Sequence, residues 1–154
     1  MSFPSPLRTP TYVIGDVHGQ YEKMVRILRD ADLISDDLRW SGADSALWLI
    51  GDLVDRGPAG IEVIDLAMRL QREAAAAGGS ANTLIGNHDI LLLAAFHFGD
   101  WPRKRRADSF TAIWERNGGN PADLDLLTGP QVTWLSTLPA MTHCGPYLLT
   151  HGDT

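Results

Sequence analysis

The sequence predicts an α/β domain, because short apolar runs typical of strands alternate with segments of helical periodicity, and each run leads into polar residues. The chain has 154 residues, the size of one ordinary domain, and 44% of them are hydrophobic, as a globular core requires. Without an internal repeat or linker, we expect one domain over residues 11–154, preceded by a flexible tail over residues 1–10. The predicted strands and the polar residues after them are 12–14 with Gly15-Asp16, 47–50 with Gly51-Asp52, 84–85 with Gly86-Asn87, and 147–149 with Thr150-His151.

Helical periodicity fills the segments between these strands. It is strongest over about residues 21–31 and 58–77, where Pro58 suits the first turn of the second helix and Gly78-Gly79 its end. Further helices are predicted over about residues 88–98, around Phe110 to Trp114, and from Asn120-Pro121 to Gly129-Pro130.

Charge and cysteine content exclude several classes of function. The 13 basic and 19 acidic residues give a net charge of -6, which disfavours nucleic-acid polymers and anionic membranes as partners. The longest apolar run, from Ile90 to Phe96, is far shorter than the roughly 20 residues of a membrane span. One cysteine, Cys144, fits a reducing compartment, so we expect a cytoplasmic protein. The only basic run, residues 103–106, is interpreted as a solvated loop or helix edge.

The polar residues after the strands predict a metal site. Ligands of α/β proteins gather outside the carboxyl ends of the strands, and Asp16 and His18 project to the same side of an extended segment. Asp52 and Asn87 follow the next two strands, and a carboxylate in such a position could bridge two ions about 3.5 to 4 Å apart. Oxygen and imidazole ligands suit Mn²⁺, with Fe or Zn²⁺ as alternatives.

The blocks GDVHG, GDLVDRG, GNHD and THG resemble the signature of calcineurin-like metallophosphoesterases, especially the phosphoprotein phosphatase branch. The resemblance implies a sandwich of two packed mixed sheets flanked by helices, with much of the second sheet beyond residue 154. It also implies a dinuclear, metal-dependent phosphoesterase that hydrolyses phosphomonoesters, phosphoserine and phosphothreonine proteins included, by attack of a hydroxide that bridges the ions. Asp89 occurs at its position in the similar bacterial diadenosine tetraphosphatases, so symmetrical hydrolysis of a dinucleotide polyphosphate is the alternative.

The resemblance implies a role for each residue of these blocks. A phosphorylated substrate would be held by Arg56 together with the first residues of the third block, and a histidine would protonate the leaving oxygen. His97 and His143 match no block and are interpreted as packing or surface residues, and the aromatic residues Phe110, Trp114 and Trp134 as core. The implied assignments are Asp16 and His18 on the first ion, Asp52 as the bridge, Asn87 and His151 on the second ion, His88, Asp55 and Arg56 in catalysis, and Arg56, Asn87 and His88 on the substrate phosphate.

The sequence departs from the family's pattern after the last block. The family uses a further histidine, and often a second arginine, downstream of the position of His151, but this sequence ends at Thr154. A longer protein, a naturally short one or a partner subunit would each explain the difference, and an uncovered sheet would favour self-association. A catalytically inactive module that binds metal or phosphate is therefore the second hypothesis for function.

Other phosphate chemistries match less well. The pair His88-Asp89 is similar to that of the all-helical HD-domain phosphohydrolases, but here it follows a predicted strand. An aspartyl-phosphate mechanism needs a second carboxylate where His18 stands, and the sequence contains no P-loop motif.

Overall fold

The structure is a computed structural model that describes residues 9–99, 101 and 108–152. Residues 1–8 of the predicted tail and the basic run 103–106 lie outside the described residues, and the tail and domain bounds stay predictions. The elements in chain order are β1 (Thr11–Ile14), α1 (Tyr21–Asp30), β2 (Ala46–Leu49), α2 (Gly60–Ala76), β3 (Ser80–Thr83), α3 (Asn87–Phe98), α4 (Phe110–Arg116), α5 (Pro121–Leu126), α6 (Gly129–Ser136), β4 (Met141–Cys144) and β5 (Tyr147–Thr150).

The first three strands form a parallel sheet in the order β1-β2-β3. Thr11 of β1 pairs with Ala46 of β2, which in turn pairs with Ser80 of β3, so the three strands start level and end level. The connecting helices α1 and α2 bury an apolar face, represented by Leu28 and Leu70, which are fully buried. This arrangement brings the carboxyl ends of all three strands to one edge of the sheet.

The last two strands form an antiparallel hairpin, with Met141 paired to Thr150 and Cys144 to Tyr147. None of the residues of β4 and β5 is buried. The predicted α/β class is confirmed. In the part of the chain that the structure describes, however, one sheet is wholly parallel and the other antiparallel, so mixed strand directions are not seen within either sheet.

Two predicted boundaries are wrong. The third strand is Ser80–Thr83 rather than residues 84–85. Its small, polar residues gave no apolar signal, although the backbone N–H of Leu84 still donates to the carbonyl of Leu49 at 2.8 Å. Gly129-Pro130 does not end a helix but begins α6, where the N–H of Thr128 donates to Gln131 Oε1 at 2.8 Å in the manner of a helix cap.

Several other expectations about the fold are confirmed, but Phe110 is only partly buried and lies outside the core, and Pro58 precedes α2, which begins at Gly60. The strands β1, β2 and β5 and the helices α1 to α4 lie where the sequence predicts them. Trp114 is fully buried, and Trp134 packs against the core from a partly buried position. Among the residues that the structure describes, no helix has the length and apolar character needed to cross a membrane.

Candidate functional site

The predicted site residues converge on a cavity of about 180 Å³ at the carboxyl edge of the parallel sheet. His18 lies beside this cavity, and Asp55 lies behind His88, which separates it from the cavity. His97 and His143 are exposed and do not line it. The cavity is lined by Asp16, Asp52, Arg56, Asn87, His88, His151 and Gly152.

Close approach of the loops builds this cavity. A Cβ atom on Gly86 would lie only 2.2 Å from both the backbone nitrogen and Oδ1 of Asp52, and one on Gly57 would lie 2.1 Å from the carbonyl oxygen of His18. The carbonyl of Asp52 accepts hydrogen bonds from the N–H groups of Val17 and His18 at 3.0 and 2.8 Å. Backbones therefore touch where side chains would otherwise keep the loops apart.

Asp89 joins the loops after β2 and β3. Its fully buried carboxylate accepts hydrogen bonds from the N–H groups of Asp52 and Leu53, both at 3.0 Å, and of Gly86 at 2.9 Å. Burial raises the pKa of Asp89 to about 7, against the lowering effect of these donors. No structural role for Asp89 was predicted from the sequence. Its place at the third residue of α3, three residues after Gly86, was the signal of a capping carboxylate.

The Asp52 carboxylate lies between two imidazoles. Its Oδ2 is 3.7 Å from His18 Nε2, and its Oδ1 is 3.4 Å from His151 Nε2. The N–H of His88 donates to Oδ1 at 2.9 Å and holds the carboxylate in place. Asp52 is almost fully buried and has a left-handed backbone with φ of 52°, a strained conformation typical of functional positions.

Backbone carbonyls determine which ring nitrogen of each imidazole carries the proton. His18 Nδ1 donates to the carbonyl of Val54 at 3.0 Å, and His151 Nδ1 donates to that of Ile50 at 2.8 Å. In a neutral ring, the lone pair is then on Nε2, which is the arrangement of a metal ligand. His151 Nε2 is also 2.9 Å from Asn87 Oδ1. The imidazole nitrogen and the amide thus lie close enough to ligate one cation together.

Two groups of side chains place their ligand atoms within 4.8 Å of one another. One group contains His18, Asp52 and His88, and the other contains Asp16, Asp52 and His151. Asp52 belongs to both, in the position expected of a bridge. His88 is a member of the first group, although the resemblance implies that it acts as an acid rather than as a ligand. Asp16 is grouped with His151, although the resemblance places it with His18. Carboxylates and imidazoles in these positions fit divalent ions, while the assignment of each residue to one ion stays a prediction.

A buried pair of side chains lies next to this group. His88 Nδ1 donates to Asp55 Oδ2 at 2.7 Å; Asp55 is fully buried and His88 almost so. The other oxygen of Asp55 accepts from the indole N–H of Trp114 at 2.8 Å. Burial raises the pKa of Asp55, while the hydrogen bonds from His88 and Trp114 act in the opposite direction.

Arg56 connects His18, beside the cavity, with His88, which lines it. Its Nη1 donates to His18 Nε2 at 3.0 Å and its Nη2 to His88 Nε2 at 2.9 Å. The residue is exposed, so its fork is free to turn toward a phosphate, whose geometry it matches. A proton on His88 Nε2 would require this turn, because the nitrogen accepts a hydrogen bond from Arg56 here.

A carboxylate shared by two imidazoles, beside a buried Asp–His pair and an exposed arginine, is the arrangement expected of a metal-dependent phosphoesterase. The sequence model of the calcineurin-like phosphoesterases matches residues 9–154. The chain belongs to this family, whose members use divalent metal ions.

Relatives and solved structures agree with this membership. The chain is 33% identical over 131 residues to a symmetrical bis(5'-nucleosyl)-tetraphosphatase of Enterobacter sp. (strain 638), covering 85% of this chain and 38% of that protein. It is 40% identical over 131 residues to the protein of that name from Cronobacter sakazakii, with the same coverage. The chain thus spans about two fifths of the length of these relatives.

Solved structures share the fold at lower identity. A cold-active protein-tyrosine phosphatase of a psychrophilic Shewanella superposes with a TM-score of 0.58 at 22% identity, over 88% of this chain and 41% of that one. A metallophosphoesterase from Sphaerobacter thermophilus gives a TM-score of 0.54 at 22% identity, over 90% of this chain and 44% of that one. At such identities the likeness concerns the fold alone.

Proposed function

We propose that this chain contributes a two-ion site that hydrolyses a bond between phosphorus and oxygen. The observation that carries the proposal is the Asp52 carboxylate, whose two oxygens lie 3.7 Å from His18 Nε2 and 3.4 Å from His151 Nε2. Asp16 and His18 would hold the first ion with Asp52, and Asn87 and His151 the second. Mn²⁺ is the ion we expect first, because its preference for oxygen and imidazole ligands matches this set.

The chain's own residues supply the rest of the chemistry. When bound, the two cations would activate water for attack on phosphorus and neutralise phosphate charge. Arg56 would turn its fork from the two histidines to the phosphoryl oxygens, and Asn87 would contact the same group. His88 would then carry a proton on Nε2 toward the leaving oxygen, while Asp55 holds Nδ1 and stabilises the charged ring.

For the substrate we propose a dinucleoside tetraphosphate cleaved symmetrically. Support comes from relatives that are 33% and 40% identical and carry that activity in their names. Water would add to one of the two central phosphorus atoms, and the central anhydride would break to give two nucleoside diphosphates. Asp89 after the Asn87-His88 pair points in the same direction, so this substrate takes precedence over the phosphoprotein or small phosphomonoester implied by the phosphoprotein phosphatase branch.

We also propose a cytoplasmic location and the absence of membrane or nucleic-acid partners. Support for the location is the single cysteine, Cys144, which is not paired in a disulfide. Support for the second point is the net charge of -6.

The test of the site begins with Asp52→Asn. Elemental analysis of the Mn²⁺-loaded wild type should give two ions per chain, and the variant should lose both, with affinity lower by at least about 100-fold. Asp125→Asn is the matched control, because Asp125 is an exposed carboxylate of α5. Retention of two ions by Asp52→Asn would contradict the bridge.

The test of the activity uses three substrates with the same loaded protein. Diadenosine tetraphosphate should yield ADP alone, faster than p-nitrophenyl phosphate or a phosphoserine peptide is hydrolysed. Preference for the peptide would contradict the substrate. Two bound ions without hydrolysis of any substrate would contradict the activity and favour the inactive binding module.

A further inference from the structure

Trp114 of α4 makes a contact that its position in the core does not require. Its indole N–H donates to Asp55 Oδ1 at 2.8 Å, across 59 residues of sequence. The other oxygen, Oδ2, accepts from His88 Nδ1 at 2.7 Å. Trp114 and Asp55 are fully buried and His88 nearly so. The three side chains therefore form a continuous chain of hydrogen bonds, shielded from water, from α4 to the cavity.

The turn after α4 contacts Arg56, the residue that follows Asp55 in the sequence. The carbonyl of Gly118 accepts a hydrogen bond from the N–H of Arg56 at 2.8 Å. Gly118 has φ of +100°, and a Cβ atom there would lie 2.9 Å from Arg56 Cγ. The neighbouring Gly119 packs under the Trp114 ring, where a Cβ atom would lie 2.3 Å from an indole carbon. One short segment therefore contacts both Asp55 and Arg56.

Asp55 and Arg56 need such support. Both have left-handed backbones, with φ of 68° and 61°, although neither is glycine. Residues in this region of conformational space persist only where the surrounding structure holds them. The contacts from Trp114 and Gly118 reach the side chain of the first residue and the backbone of the second, which are the groups whose directions matter for the cavity.

We propose that Trp114 and Gly118 are positioning residues: Trp114 orients the Asp55–His88 pair, and Gly118 fixes the point from which the Arg56 fork reaches phosphate. The proposal rests on the proposed function for its catalytic meaning. Because Asp55 Oδ1 is engaged by Trp114, only Oδ2 faces His88. The ring is then held with its proton on Nδ1 and with Nε2 toward the cavity, and free rotation of the carboxylate is prevented.

The first test replaces the indole donor with Trp114→Phe, which keeps an aromatic ring. The matched control is Trp134→Phe, since Trp134 also donates its indole N–H to a side chain, Gln71 Oε1, at 2.7 Å, and neither residue lines the cavity. The ¹⁵N shifts of the His88 ring report its tautomer in the full chain. We expect one sharp Nδ1–H form in the wild type and the control, and shifted, broadened ring signals in Trp114→Phe, because the Asp55 carboxylate can then rotate and its hydrogen bond to Nδ1 weakens.

The same variants separate positioning from mere support of the fold in kinetics. Trp114→Phe should lower kcat by about 10-fold or more on a substrate with a poor leaving group and much less on p-nitrophenyl phosphate, with KM little changed, because proton donation matters most for poor leaving groups. Equal losses on both substrates, or His88 ring signals unchanged from the wild type, would overturn the role of Trp114. A wild type without any hydrolysis would refute the proposed function. The His88 ring signals would still decide whether Trp114 is a positioning residue.

The second test uses a pair of glycines with similar backbones. Gly118→Ala and Gly78→Ala both place a Cβ on a left-handed residue, with φ of +100° and +86°, but nothing lies within 4 Å of the added atom at Gly78. Inorganic phosphate binding to the Mn²⁺-loaded chain, followed by calorimetry, should weaken by about 10-fold in Gly118→Ala alone. Equal affinities in the two variants would overturn the role of Gly118, and this result does not depend on Trp114→Phe being folded.

Discussion

The loops of the parallel sheet and the β4–β5 hairpin supply the same site in different ways. The loops after β1, β2 and β3 are held by buried hydrogen bonds, above all those of Asp89. They also approach one another at glycines, where there is no room for a Cβ atom. The hairpin contains no buried residue, yet it leads directly to His151. Most of the proposed ligands are therefore fixed by the core, whereas one is delivered by a segment with little packing of its own.

In the part of the chain that the structure describes, the segment that contains the hairpin is joined to the rest of the site mainly through His151, which contacts Asn87 and Asp52, and through the residue before β4. His151 Nδ1 donates to the carbonyl of Ile50 at 2.8 Å, and the N–H of Ile85 donates to the carbonyl of Pro139 at 3.0 Å. Tyr147 and Leu148 are each more than half exposed. Because this apolar surface is exposed, we still predict self-association through the hairpin. The difference between the two regions indicates that the first ion should be held more firmly than the second.

The largest effect is expected in the tightly packed region, from Gly86→Ala. The added Cβ would lie 2.2 Å from the backbone nitrogen of Asp52, so the loops must separate, and we expect a loss of about 3 kcal/mol in the free energy of unfolding. Chemical denaturation measures this loss. Gly129→Ala is the control, because nothing lies within 4 Å of that position. Equal stability of the two variants would show that the loops after β2 and β3 can separate without cost at Gly86.

The sequence predicted the site better than the elements that support it. Asp16, Asp52 and Asn87 were placed at strand ends by the alternation of apolar runs and polar residues, and the structure brings them to one cavity. The position of β3 could not be predicted in this way, because Ser80–Thr83 has no apolar run and forms a strand only through its pairing with β2. Helix α6 was missed because Gly129-Pro130 was interpreted as a stop.

Long-range contacts account for most of what the sequence could not predict. The hydrogen bond from Trp114 to Asp55 spans 59 residues, and a buried tryptophan looks like any other core residue in the sequence. Asp89 likewise is only one residue of a motif in the sequence, whereas in the structure its carboxylate accepts hydrogen bonds from N–H groups of two loops. Periodicity and motifs report local structure and chemistry, but not which buried side chain holds a catalytic group in place.

An intermediate effect is expected in the hairpin, from His151→Ala. Loss of the imidazole should remove one ion per chain while Asp16, His18 and Asp52 retain the other, with a loss of only about 1 kcal/mol in the free energy of unfolding. Elemental analysis and denaturation together measure both quantities. His143→Ala is the control on the same hairpin, because His143 is exposed and does not line the cavity. Loss of both ions would contradict the independence of the two regions.

The smallest effect concerns a defect inside the tightly packed region. Asp123 of α5 is 2% exposed, and its Oδ2 accepts no hydrogen bond from the residues that the structure describes. Burial, followed by the nearby carboxylates of Asp55 and Glu62, raises the pKa of Asp123 from 3.8 to about 6. The folded protein therefore holds a proton that the unfolded chain releases, and stability falls as pH rises from about 4 to about 6. We expect Asp123→Asn to stabilise the fold by less than about 1 kcal/mol at pH 7 and by almost nothing at pH 4, because the amide does not ionise but still leaves a polar atom in the buried position. Thermal unfolding at the two pH values measures the difference, with Asp125→Asn of the same helix as the control. A gain that is equal at both pH values would mean that the carboxyl is not the source of the cost, and that even this region is packed without an uncompensated charge.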